Sequence, residues 1–374
     1  MWVLALKTLI ADRGKLLTAL VGVVFSVVLV NVQGGLFFGL IRKASLLVDQ
    51  GNADIWVGHK RMNNVDFAHD VPRRLMQRIH SIEGVTWVEP YLVGHSIMTL
   101  PDGGFEDVLV IGCDPTSGLG SNAAAMGIGC DALRKSDGIV VDSYDAHKMG
   151  SPAVGDTREI GRRRARIVGF THGILGFLVT PYVFTTFDRA AEFLGRQSTV
   201  ASYFLVKVND SEVPEEVCFR IRERLPDLEA FTRQQYATAS VNYWLTRTGL
   251  GISFGAATAL GLVVGLIIVA QTLYASVLDR LTEFGTLKAI GAQEWQVRTI
   301  ILQQAVSLAV VGSAAGLLCV LIIQAAFSTP RAPISIPWYL SLASCLVVTA
   351  VCLVAALLPY LRVRTIDPAM ILQS

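Results

Sequence analysis

The chain has 374 residues, with 32 basic and 30 acidic side chains and a formal net charge of +2. Apolar residues make up 52% and charged residues 17%, and the mean hydropathy is +0.50, whereas soluble domains carry about 25% charged residues. These values exclude a disordered chain and a wholly soluble one, and the charge balance gives no electrostatic footprint for nucleic acid.

Residues 1–15 begin MWVLALKTLIADR. Trp2, Leu6, Leu9 and Ile10 fall near helical spacing, with Lys7 and Arg13 off that stripe. A cytoplasmic amphipathic helix lying on the membrane surface is expected there. Residues 16–41 are apolar and carry no Asp, Glu, Lys or Arg, enough for a first transmembrane helix, which needs about 20 residues. The run exceeds the roughly 7–15 residues of a signal-peptide core, and no small-x-small site follows, so it reads as a retained anchor.

Residues 42–248 have soluble composition and hold all 6 histidines. Two segments in this stretch look alike. ADIWV (53–57) precedes VPRRLMQRIHSI and GVTWVEP; ASYFLVKV (201–208) precedes VPEEVCFRIRERL and DLEAFT. Each pairs a β-branched, aromatic strand with a helix that has Pro in its first turn. An extracytoplasmic α+β domain is expected, with ferredoxin-like halves and an inserted β-rich lobe at about 138–186. The run Arg162, Arg163, Arg164 and Arg166 reads as a solvated edge strand, whose charge blocks unwanted pairing. Cys113 and Cys130 bracket a Gly/Ala/Ser-rich loop, where an oxidising compartment permits a disulfide.

Three further apolar stretches follow, at 249–278, 299–327 and 336–361. The fold class is therefore an α-helical membrane protein with four transmembrane helices, arranged one plus three. The large α+β domain is inserted between the first and second. Residues 328–335 form a short extracytoplasmic loop. Arg280, Lys288 and Arg298 lie in the 279–298 loop and Arg362 and Arg364 in the 362–374 tail, against Arg331 alone in the 328–335 loop. The positive-inside rule places the 279–298 loop and both termini in the cytoplasm.

No catalytic or metal-binding constellation stands out. There is no H-E-x-x-H and no C-x-x-C, and the histidines lack ligand spacing. The only Gly-Lys pair, Gly14-Lys15, precedes Leu16, so no P-loop is present and no cofactor is expected on this chain. Asn31, Gln33, Gln271, Gln303 and Gln324 lie at membrane depth and are polar but uncharged. Small pairs at Gly35/Gly39, Gly251/Gly255, Gly261/Gly265 and Gly312/Gly316 suit close helix approach, within the chain or between protomers.

The segment from Asp279 to Arg298 reads DRLTEFGTLKAIGAQEWQVR. Phe284, Leu287 and Ile290 form one helical ridge, suited to docking in a partner's groove. Arg280, Glu283, Phe284, Gly285, Leu287, Lys288, Ala289, Ile290, Gly291 and Ala292 match R-x-x-E-[IF]-G-x-L-[KR]-A-[IL]-G-A, so the segment resembles the signature of FtsX-like permeases. These are the MacB-type, or mechanotransmission, ABC transporters. Leu4-Ala5-Leu6-Lys7 and Pro359-Tyr360-Leu361-Arg362 through Asp367-Pro368 resemble the family's two ends. The VNVQGGLF run and the length are similar to the DevC-like branch, whose ATPase is a separate subunit.

The resemblance implies a non-catalytic permease of the bacterial inner membrane. ATP would be bound by a cytoplasmic ABC ATPase subunit, and residues 279–298 would be the ATPase-coupling loop. It also implies a homodimer and a periplasmic adaptor or membrane-fusion protein. The implied function is export of a lipid, peptide or drug-like substrate. Regulation of cell-wall hydrolases and lipoprotein extraction are the alternatives. Movement would pass to the outer domain through an extended helix ending near Leu250.

Overall fold

The computed structural model describes residues 13–114, 120, 133, 137–177, 180–279 and 293–364. The chain divides into two units: Met1–Gly39 with Leu250–Ser374, and Leu40–Gly249. Helix α1 (Arg13–Lys43) opens the described chain. The surface helix expected at the N-terminus falls largely on residues 1–12, outside the described residues.

The Leu40–Gly249 unit begins with α2 (Leu46–Gln50) and β1 (Ile55–His59). Successive side chains alternate across a strand. Ile55 and Val57 enter one core, while Trp56 enters a second on the opposite face. Next come β2 (Val71–Pro72), α3 (Leu75–His80) and the long β3 (Val85–Thr99). They are followed by β4 (Phe105–Cys113), β5 (Gly138–Asp142), β6 (Thr157–Ile160), β7 (Arg163–Thr171), β8 (Tyr182–Thr186) and α4 (Phe187–Phe193). The unit ends with β9 (Val200–Ala201), β10 (Tyr203–Val208), α5 (Pro214–Arg224), β11 (Leu228–Thr232) and α6 (Arg233–Arg247).

Strands β11, β1, β10 and β3 lie side by side in that order, all antiparallel. With α3 and α5 as connections this is a split β-α-β arrangement. Ile79, Val217 and Ile221 cover the Ile55 face. Helix α6 covers the Trp56 face through Tyr236, Ser240 and Trp244, each four residues from the next. It starts with a capping box. Gln235 N–H donates to Thr232 Oγ1 at 3.3 Å, and Thr232 N–H donates to Gln235 Oε1 at 3.1 Å.

The C-terminal part of β3 belongs to a second lobe ordered β3-β4-β8-β5-β7-β6. Strand β6 returns to β3 through Met98↔Ile160 and Thr99↔Glu159, so these strands form a closed ring. This corrects the reading of the arginine run as an edge strand. Arg162 occupies the turn between β6 and β7; on β7, Arg163 and Arg164 pair with β6 alone, and Arg166 pairs with both Thr157 of β6 and Gly138 of β5. Arg164 and Arg166 share Asp137, at 3.5 and 3.4 Å. Ring closure removes the edge that the charges were read as protecting.

Helices α7 (Leu250–Leu278), α8 (Glu294–Phe327), α9 (Trp338–Ala355) and α10 (Leu357–Arg364) belong to the other unit. Thr248 and Gly249 separate α6 from α7, and Gly249 has φ +65°. Helix α6 therefore ends at Arg247, just before a residue in the left-handed region. Four segments are long and apolar enough to cross a membrane: Arg13–Lys43, Leu250–Leu278, Glu294–Phe327 and Trp338–Leu361. The last is broken at Ala356. Pro359 has no N–H to give the Ala355 carbonyl, which accounts for a break one turn earlier.

The glycine pairs show how this unit packs. Added Cβ atoms at Gly261 and Gly265 would meet Leu29 and Ser26 of α1, and at Gly312 and Gly316 they would meet Val23 and Val27. Helix α1 thus lies against both α7 and α8 at glycine distance. Gly35 and Gly39 receive a loop rather than a helix. Ser335 N–H donates to the Gly35 carbonyl at 3.0 Å, and a Cβ on Gly39 would lie 1.7 Å from the Pro333 carbonyl oxygen. Gly255 faces open space.

Candidate coupling site

The coupling-loop residues Arg280, Glu283, Phe284, Gly285, Leu287, Lys288, Ala289, Ile290, Gly291 and Ala292 lie outside the described residues. What is described is the pair of helix ends that carry them, and these ends are held on several sides. Asp279 follows α7 and forms an ion pair with Lys15 in the first turn of α1. Its N–H continues the helical pattern to the Ala275 carbonyl at 3.2 Å.

On the other side, Gln293 caps α8 in a reciprocal arrangement with Gln296. Gln293 N–H donates to Gln296 Oε1 at 3.0 Å, so the first turn satisfies donors that have no helical partner. Trp295 is largely exposed, and its indole N–H donates to Gln293 Oε1. Arg298 places its guanidinium 6.0 Å from the centre of the Tyr360 ring on α10.

One turn further along, the ends enter the helical core. Val277 of α7, Val297 and Ile301 of α8 and Ala19 and Val23 of α1 are buried together with Val348 and Cys352 of α9. Both loop ends therefore lead directly into one close-packed core. Beside the Lys15–Asp279 pair a groove of about 490 Å³ opens between α1 and α7, lined by Leu17, Thr18, Val21, Ile268, Gln271 and Thr272 among others.

Deeper in the helices, polar side chains act as internal ties. Asn31 of α1 donates to Ser344 of α9 at 2.7 Å and to the Val27 carbonyl at 2.8 Å. Ser26 bonds the Gly22 carbonyl at 3.0 Å. Asn31 is visible in the sequence as a polar residue at membrane depth, but no local pattern marks Ser344 as its partner. In the sequence Lys15 enters only as half of a Gly-Lys pair that forms no P-loop. Its polarity beside an apolar run was the available signal, but its partner stands far along the chain.

Among the described residues no cluster of three or more His, Cys, Asp and Glu side chains could hold a metal ion. The pairing of Cys113 with Cys130 falls outside the described residues at Cys130. Cys113 itself is buried at the end of β4, with its Sγ 3.9 Å from the Thr185 carbonyl. Asp66, Glu89, Asp142 and Asp145 are buried carboxyls of the Leu40–Gly249 unit, and Asp66 accepts from the Tyr182 hydroxyl at 3.1 Å. Burial raises the Asp66 pKa to about 6, opposed by the Tyr182 hydrogen bond and by His95.

Two family profiles match the chain. "FtsX-like permease C-terminal" matches residues 255–368, and "MacB-like periplasmic core domain" matches residues 16–224. Among solved structures, the chain is similar to the periplasmic region of MacB from Actinobacillus actinomycetemcomitans. The identity is 10% and the TM-score 0.38, over 49% of this chain and 90% of that one. It is also similar to the extracellular domain of the transporter YknZ from Gram-positive bacteria, at 10% identity and TM-score 0.33, over 48% and 98%. A domain of a putative permease from Porphyromonas gingivalis follows at 15% identity and TM-score 0.32, over 48% and 88%. No curated protein sequence matches.

Proposed function

The chain belongs to the family of FtsX-like permeases with a MacB-like periplasmic core domain, and from that premise we propose that it couples ATP hydrolysis on a separate cytoplasmic subunit to movement of its outer domain. As a member it is a multi-pass membrane permease subunit of an ABC-type system, with an extracytoplasmic domain and an ABC ATPase as partner.

The proposal goes further in naming the contact. Residues 280–292 dock on the ATPase through Phe284, Leu287 and Ile290, a ridge of apolar side chains three apart. The observation that supports this reading is how the flanking ends are anchored. Asp279 is tied to α1 through Lys15, and Arg298 is tied to α10 through Tyr360. A push on the loop would therefore reach every helix of the membrane unit. Both termini and the loop face the cytoplasm in this reading. Two copies of the chain pair with two ATPase subunits in the bacterial inner membrane, and a periplasmic adaptor receives an exported lipid, peptide or drug-like substrate.

The test is ATPase stimulation. Phe284→Asp or Leu287→Asp places a charge in the apolar contact, where it must be desolvated without a partner. Each variant should insert normally and lose stimulation of the partner's ATP turnover by at least tenfold. Full stimulation in both would contradict the docking assignment.

A further inference from the structure

Away from the coupling site, the Leu40–Gly249 unit carries a cavity of about 840 Å³ lined by Pro72, Arg73, Arg74, Met76, Gln77, Ser198, Thr199 and Val200. We propose that this cavity binds an amphiphile with an anionic phosphate or carboxylate head and an apolar tail.

The backbone beneath it is fixed by two short strands. Val71 pairs with Ala201 and Pro72 with Val200, and Arg73 N–H donates to the Thr199 carbonyl at 2.8 Å. The Arg73 guanidinium is positioned in advance. It lies 4.7 Å over the Phe187 ring, and its Nη1 donates to the Ser198 carbonyl at 3.3 Å. Asp188 stands 3.8 Å away but is 80% exposed, so it neutralises Arg73 only in part. Arg74 forms no ion pair among the described residues, and no acidic residue lines the cavity.

Arg73, Arg74, Gln77 and Ser198 give the lining a set of hydrogen-bond donors, two of them guanidinium side chains. Planar guanidinium donors match two oxygens of a carboxylate or phosphate at once. The remaining wall is Pro72, Met76 and Val200. Met is the side chain best able to adapt to an alkyl chain of unspecified shape. The charge selects the head, and the apolar wall gives affinity beyond that of the head alone.

The experiment uses the full chain in nanodiscs of phosphatidylcholine, with water-soluble probes titrated by calorimetry. The probes are n-hexyl phosphate, n-hexanoate, inorganic phosphate and n-hexyl glucoside. Saturable binding of n-hexyl phosphate or n-hexanoate is expected, and the tighter of the two identifies the head group. Arg74→Gln should weaken that binding at least tenfold, while Arg74→Lys retains part of it. Should Arg74→Gln lower the melting temperature, Ser198→Asp in the same lining replaces it with the same expected loss. Inorganic phosphate binding as tightly as n-hexyl phosphate would overturn the amphiphile assignment. So would equal binding of the neutral glucoside, wild-type affinity in the variants, or no binding by the wild type.

Discussion

Asp66 shows how one side chain makes stability depend on pH. It is almost wholly buried, its N–H bonds Asn64 Oδ1 at 2.9 Å, and Tyr182 donates to its Oδ1 at 3.1 Å. Charged or titratable groups around it are His95, itself paired with Asp107, and the buried tyrosines 91, 182, 203 and 236, all raised by burial. Desolvation moves the Asp66 pKa from 3.8 to about 6, a shift in favour of the neutral form. A group raised on folding stabilises the folded state fully below its unfolded pKa and progressively less as pH rises through its folded pKa. The stability it confers is thus present below about pH 4 and lost by about pH 6, worth roughly 3 kcal/mol at about 1.4 kcal/mol per unit. Asp66→Asn should remove this dependence. Melting curves of wild type and variant between pH 4 and pH 7 should diverge with rising pH, the variant becoming the more stable. Parallel curves would contradict the assignment.

At the level of elements, the turn between β6 and β7 carries a specific demand. Gly161 and Arg162 have φ +54° and +62°, the backbone of a two-residue hairpin turn whose twist matches its strands. A Cβ on Gly161 would lie 2.1 Å from the Phe193 carbonyl oxygen, a backbone atom that cannot swing aside. Gly161→Ala should therefore cost about 2 kcal/mol or more, seen as a lowered melting temperature. An unchanged melting temperature would mean that α4 moves away freely. The four spans were legible because each is an unbroken apolar run, and β1 because ADIWV alternates between two cores. Ring closure was not legible, since Met98↔Ile160 joins strands far apart in the chain and leaves no local pattern. Arginines on a strand look alike in sequence whether one neighbour is paired or two. Gly249 and Pro359 were visible residues, but their effects on α6–α7 and α9–α10 depend on φ and on a lost N–H that periodicity does not report. For the coupling site, the ten-residue signature lies in one local stretch and can be read directly. Its supports, Lys15–Asp279 and Arg298–Tyr360, are pairs across the chain that only the packed helices bring together.

For the whole molecule, the composition that first suggested a membrane protein resolves into two chemically distinct parts. Four apolar helices pack through glycine contacts and a few neutral hydrogen bonds, with ion pairing placed at a helix end. The α+β unit builds two cores on opposite faces of one sheet and carries most of the titratable groups. That division is the premise of the proposed coupling to an ABC ATPase partner. The most direct measurement is native mass spectrometry of the complex extracted from the membrane in mild detergent. The account predicts two copies of this chain with two copies of an ABC ATPase, and loss of the ATPase copies in the Phe284→Asp chain. A chain that leaves the membrane intact and folded with no ATPase bound, under extraction that preserves other ABC complexes of the same cells, would contradict it.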